Sequence, residues 1–202
     1  TSAQPAISAK NAATGLAFYD PSQARFVALL RLFQDIGGIS RRAISVAYSS
    51  DFVTWTEPQP SLASDTQGDL ISQGQRYAYT DIYYLSILPY AGQYVGFPEI
   101  FQHLGRPNEP GANDGLFDIE VAFSRDLQTW KRDDRQPVIV HGPAGSFDAG
   151  LVLVAPQPIV VGNEIWLYYA GLDGSHLSRS RRGYVAVAKW RLDGFASLTN
   201  GG

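Results

Sequence analysis

At 202 residues, 45% hydrophobic and 17% charged, the chain has the composition of an ordinary globular domain and not of a disordered one. Its 16 basic residues stand against 19 acidic ones for a formal net charge of −3, with no long run of either sign, so it lacks the electrostatic footprint of a nucleic-acid or anionic-membrane binder. No stretch approaches the roughly 20 apolar residues that span a bilayer. Thr1-Ser2-Ala3-Gln4-Pro5 shows no signal-peptide pattern, and the chain reads as soluble with no visible address. The absence of cysteine removes disulfides, thiolate metal sites and a cysteine nucleophile. Methionine is absent too, even at position 1, so either the initiator has been removed or the sequence continues upstream of Thr1.

In chain order the predicted elements are strands, and they repeat. A turn at Asp20-Pro21-Ser22-Gln23-Ala24-Arg25 leads into an apolar strand from Phe26, and Ala43 to Tyr48 alternates small or polar residues with Ile44, Val46 and Tyr48. A Ser49-Ser50-Asp51 turn follows, then Trp55. The unit returns as the hairpin Tyr90-Ala91-Gly92-Gln93-Tyr94 and the run Ile119 to Phe123, with Ser124-Arg125-Asp126 and Trp130. It returns more weakly as the turn Val161-Gly162-Asn163-Glu164 and the run Tyr184 to Trp190, with Asp193 and Phe195. Asp51, Asp126 and Asp193 fall about 70 residues apart, the order of a propeller blade or somewhat longer. No helical period lasts more than a turn or two. The pattern predicts an all-β, β-propeller-like protein of three consecutive four-stranded antiparallel blades, at about 7–65, 66–142 and 143–200, within a single domain over 1–202. Trp55 and Trp130 are expected at equivalent, largely buried positions. Between two strands, residues 102–115 are rich in Gly, Pro and Asn and read as a long surface loop able to form a rim.

Four phrases resemble the five-bladed β-propeller glycoside hydrolases, the invertase-, levansucrase- and arabinanase-like enzymes. They are Ser-x-Asp-x-x-x-Trp at Ser49 and Ser124, Asp20-Pro21 with Phe26, Gly145-Ser146-Phe147-Asp148-Ala149-Gly150, and Trp166-Leu167-Tyr168-Tyr169-Ala170-Gly171. The close Arg191 to Leu198 is similar to the end of the last blade in one uncharacterised invertase-like branch. The resemblance implies the last three blades of five, an incomplete ring. It also implies a catalytic triad of two Asp and one Glu on the first three blades. Two of these have no counterpart, and the stretch Ile7 to Tyr19 where the Glu would stand contains Asn11 and no acid. Likeness in sequence therefore does not carry the chemistry with it, and a sugar-binding role stands beside a hydrolytic one.

Hydrolysis of this kind needs two carboxylates converging on one cleft. The catalytic candidates are Asp81 and Asp148, each opening a predicted innermost strand, and Glu120. Asp118 and Glu120 share a strand face by the period-two rule. Tyr83, His176 and Asp118 are the substrate-binding candidates, an aromatic ring suiting the apolar face of a sugar. His103, His141 and His176 are too dispersed to form a ligand set, so neither metal nor cofactor is expected. The expected function is a glycosidase-like carbohydrate-active or carbohydrate-binding protein; the alternative is a non-catalytic self-assembling propeller module, or a fragment without activity of its own. Carbohydrate is the expected partner. Three blades leave two terminal apolar faces, for which a homodimer closing the ring is the expected solution.

Overall fold

The computed structural model describes residues 6–9, 13–74 and 77–194. Asn11 and the closing stretch from Phe195 lie outside the described residues.

Among the described residues, thirteen strands form three antiparallel sheets and one helix lies between the first two. The first sheet runs in chain order: β1 (Ala13–Asp20), β2 (Arg25–Ile36), β3 (Ile39–Ser49) and β4 (Gln59–Leu62). Helix α1 (Thr66–Gly74) leads to the second sheet, where β5 (Tyr79–Tyr90) pairs with β6 (Gln93–His103). The far side of β6 is taken by β7 (Gly115–Ile119) and β8 (Ala122–Ser124), one line interrupted at Glu120 and Val121, and β9 (Trp130–Lys131) completes the blade. In the third sheet β10 (Leu151–Val154) and β11 (Ile159–Val161) both pair with β12 (Glu164–Leu172), and β13 (Gly183–Arg191) covers its other edge. Pro156 and Pro158, which have no N–H to give a ladder, stand in the gap between β10 and β11. The chain is an all-β propeller segment of three consecutive blades.

The repeat holds at atomic detail in its first two copies. Ser49 Oγ accepts the N–H groups of Asp51 and Phe52 at 3.2 and 2.9 Å, and Asp51 Oδ1 accepts those of Val53 and Thr54 at 2.8 and 2.7 Å. Ser124 and Asp126 repeat the same four bonds at the same lengths. These bonds hold the Asp51 carboxyl down to about 2, and the Asp126 carboxyl likewise below its usual value, with the Thr54 and Thr129 amides contributing most. Phe52 and Leu127, which follow each Asp, take the left-handed conformation. In the third copy it is Asp193 itself that does so, with no preceding serine, so that turn is built differently.

Two apolar layers join the sheets. Leu16, Val27, Leu29, Ile44 and Val46 of the first sheet meet Ile82, Leu85, Ile87 and Ile100 of the second. Val95, Phe97 and Ile119 of the second meet Val152, Val154, Ile165 and Leu167 of the third, with Trp190 stacked on Phe97 at 5.6 Å. Val46 is core between the first two sheets, and Val121 is half-buried against the third sheet. Val185, on the last strand, is 81% exposed. Trp55 and Trp130 are half-buried and not buried as expected. Trp130 lies over Gly96, where a Cβ would stand 2.7 Å from its ring, and its indole N–H reaches Ser61 Oγ on β4 at 3.0 Å. Trp130 thus sits on the outermost strand of its blade, while Trp55 lies outside any strand, packed edge-on against Phe52.

α1 departs from the all-strand expectation. Its start carries a local cap, Asp65 Oδ1 accepting the Gly68 N–H at 2.8 Å, and Asp69 ties it to Arg41 of β3 at 2.7 Å and to the Thr80 N–H at 2.9 Å. Through Asp69 the helix ties β3 of the first sheet to β5 of the second.

Candidate functional site

The candidate residues gather at the end of the molecule where β5 and β10 begin. Asp81 is buried there on β5, its Oδ2 2.9 Å from Arg42 Nη1 and 3.0 Å from His103 Nε2, though the latter approach is not aligned as a hydrogen bond. The His103 Nδ1–H is directed to the Ala112 carbonyl at 2.6 Å. The segment expected as a loop over 102–115 starts inside β6, where Gln102 and His103 are buried, and its later part reaches the neighbouring blades: Asn113 Oδ1 accepts from Arg42 at 2.5 Å, its carbonyl faces His176 Nδ1 at 2.8 Å, and Asp114 Oδ1 accepts the Leu177 N–H at 2.8 Å. One loop thereby ties all three sheets at this end.

Two binding candidates are brought together: the Tyr83 hydroxyl stands 3.4 Å from His176 Nε2. Burial holds His176 below the usual histidine value, so the ring is neutral, with Nδ1 carrying the proton toward Asn113 and Nε2 open to accept from Tyr83. Asp118 goes elsewhere, accepting from the N–H and Nδ1 of His141 at 2.7 and 2.6 Å and from Gln102 Nε2. That carboxylate holds the His141 imidazole above its usual range against the opposing effect of burial. Asp118 and Glu120 do face one crevice, a narrow one of about 40 Å³ beside α1. Within it Glu120 is held by Arg132, whose Nε and Nη2 lie 3.0 and 2.8 Å from Oε2.

Asp148 caps its own turn, accepting from Ser146 Oγ at 2.8 Å, while its carbonyl takes the Gly142 N–H at 3.0 Å. Gly150 closes that motif against the loop carrying His176, where a Cβ would fall 2.0 Å from the Gly174 carbonyl oxygen. Gly150→Ala should therefore cost about 2 to 3 kcal/mol, in the range of overpacking, and shift the His176 ring resonances; a variant with wild-type melting temperature and unchanged His176 signals would contradict this packing.

The strongest convergence was not picked out from sequence. Tyr83 is the extra residue of a β-bulge between Ile82 and Tyr84, and Glu99 pairs with Tyr84. Arg31 from β2, Tyr83 and Tyr84 from β5, Glu99 from β6, Val154 from β10 and Pro156 just beyond it together line a cleft of about 330 Å³. It takes walls from all three sheets. Glu99 Oε1 accepts the Val154 N–H at 2.8 Å, satisfying a donor on the open edge of β10. Complete burial raises the Glu99 carboxyl to about 8, so it carries its proton at neutral pH. A lone carboxylate inside the apolar run Tyr94 to Phe101 was the available signal, since buried Glu is rare without a partner. A larger cleft, of about 650 Å³, lies at the opposite end among the hairpin turns, where Asp20 is already taken by Ser22 and Tyr94.

Three blades around a shared cleft define the chain as a β-propeller segment, and comparison with known proteins agrees. No protein-family profile matches the chain, and no curated protein matches it in sequence. Solved structures do. Zg3597, a family 117 glycoside hydrolase of the marine bacterium Zobellia galactanivorans, is 15% identical with a TM-score of 0.60, over 87% of this chain and 51% of that one. A β-1,2-mannobiose phosphorylase from Listeria innocua is 13% identical with a TM-score of 0.60, over 93% and 46%. The family 32 β-fructofuranosidase of Bombyx mori is 13% identical with a TM-score of 0.53, over 90% and 34%. The chain shares the fold of these structures and spans about half of their length or less.

Proposed function

We propose that this chain is a glycosidase-like, carbohydrate-binding propeller segment whose sugar site is the cleft where the three sheets meet. The observation that carries the reading is the convergence of Arg31, Tyr83, Tyr84 and Glu99 with the edge of β10 on one cleft. Tyr84 offers an aromatic face to a sugar ring, Tyr83 carries Arg31 over its own ring, and Glu99 offers a proton. Tyr83 also couples the cleft to His176 and the rim. Asp81, Glu120 and Asp148, the catalytic candidates, are engaged with Arg42, Arg132 and Ser146; in this reading they, like Asp118, shape the walls and do not carry out bond cleavage. Saturation-transfer NMR with fructose, arabinose and their oligomers tests the reading. Saturable binding, weakened by Tyr83→Ala and His176→Ala, is the expected result, and no binding to any of the panel would overturn it. Turnover of fructan, arabinan or an aryl glycoside would restore the hydrolytic alternative.

Assembly belongs to the same reading. The outer face of the third sheet exposes Ile159, Val161, Tyr168, Val185 and Val187, and that of the first exposes Tyr19 and Phe52. Faces so apolar are normally covered, and a second copy packed on both would close a ring of six blades. Further blades of a longer chain would cover the same faces. Sedimentation equilibrium should give twice the 22.1 kDa chain mass at micromolar concentration. A folded monomer would rule the dimer out.

A further inference from the structure

The cleft holds a cation without a counter-charge. Arg41, Arg42, Arg132, Arg135 and Arg182 each meet a carboxylate within 3.0 Å, but no carboxylate forms an ion pair with Arg31 among the described residues. Its guanidinium lies over the Tyr83 ring at 4.0 Å, Nη1 makes one long contact of 3.5 Å to the Tyr83 carbonyl, and Nε is buried with no partner. The acid beside it, Glu99, is 2% exposed and spends one oxygen on the Val154 N–H. Tyr83, Tyr84 and Arg31 are the other ionisable groups on this wall, and β10 presents none. Burial keeps Glu99 protonated at neutral pH. The cleft then carries one net positive charge and a carboxylic acid able to donate.

From this geometry we infer that the cleft takes a carboxylate-bearing ligand of monosaccharide size, a hexuronate, with Arg31 facing the ligand's carboxylate and Glu99 donating to one of its oxygens. The sugar half of this assignment rests on the reading above; the charge half rests on Arg31 alone. A volume of about 330 Å³ is at the small end of ligand clefts. Planar guanidinium is suited to carboxylate, and such charge-assisted bonds are about twice as strong as neutral ones.

The pairing gives a pH signature that simple sugar binding would lack. Raising pH through the Glu99 value ionises it; the carboxylate then neutralises Arg31 and repels the ligand, so affinity falls. The test is calorimetric or NMR titration of the full chain with glucuronate, glucose and acetate at pH 6.5 and 9. At pH 6.5 glucuronate should bind about ten-fold or more tighter than either comparator, the equivalent of one charge-assisted bond. It should weaken by a similar factor at pH 9. Arg31→Gln should abolish the preference at an unchanged melting temperature, and Glu99→Gln should keep binding at pH 9. Glucose binding as tightly as glucuronate would overturn the charge assignment and leave the sugar reading standing. Acetate binding as tightly as glucuronate would overturn the sugar half and leave the anion site. A glucuronate affinity indifferent to both pH and Arg31→Gln would overturn the inference outright.

Discussion

Glu99→Gln is expected to stabilise the fold at neutral pH, by about 3 kcal/mol at pH 7. Burial lifts the native carboxyl from 4.5 to about 8, with the Val154 amide and Arg31 pulling the other way without overcoming it. In the unfolded chain the same group ionises near its ordinary value. Between the two values only the unfolded chain gives up the proton. The stability associated with this carboxyl is therefore complete below about pH 4 and is lost as pH rises toward about 8, at roughly 1.4 kcal/mol per unit. Glutamine has the same shape, keeps an oxygen for the Val154 N–H and places an N–H donor where the acid holds its proton. Urea unfolding at pH 5, 7 and 8 should show a wild-type deficit that widens with pH. Parallel curves for the two proteins would mean that Glu99 is not buried as a neutral acid.

The opposite result is expected at Arg132. Both members of the Arg132–Glu120 pair are buried, and desolvation already pushes the Glu120 carboxyl up against the lowering effect of the guanidinium. Arg132→Ala strands that carboxylate, and stranding one partner of a buried pair costs about 3 to 5 kcal/mol. The Arg132 carbonyl also receives Arg135 Nε at 2.7 Å, and Arg135 in turn holds Asp65 at the cap of α1, so loosened packing should spread to the helix. Replacing both partners with apolar residues, Arg132→Met with Glu120→Leu, should recover most of the loss, since desolvation is then no longer opposed by half a pair. Chemical denaturation of the single and double variants decides it. A loss below about 1 kcal/mol in the single variant would assign the pair to the weakly coupled surface class.

Legibility in the sequence followed the range of the interactions. The Ser-x-Asp turns close within five residues, so their atoms repeat at matching distances and the text repeats with them. The third turn differs because its serine is missing, and there the alignment through Asp193 was loose. α1 was passed over although Asp65 caps it, because nine residues hold too few turns for a clear period. Tyr83 and His176 were named separately as binding candidates; their meeting depends on the 102–115 loop, which no spacing encodes.

What the sequence by itself determined was the blade: alternation in strands, turns by Asp, Gly and Pro, and a three-fold recurrence that leaves two terminal faces. Tertiary structure alone decided which charges are paired. Asp81, Asp118 and Glu120 read as free carboxylates along the chain, and each meets a base brought from another strand or loop. Arg31 and Glu99, 68 positions apart, read as ordinary residues of two strands and share one cleft wall. The reason is physical. A hydrogen-bonded turn is set by neighbouring residues, whereas desolvation and Coulomb interaction depend on distance in space, which only the packing of blade on blade determines.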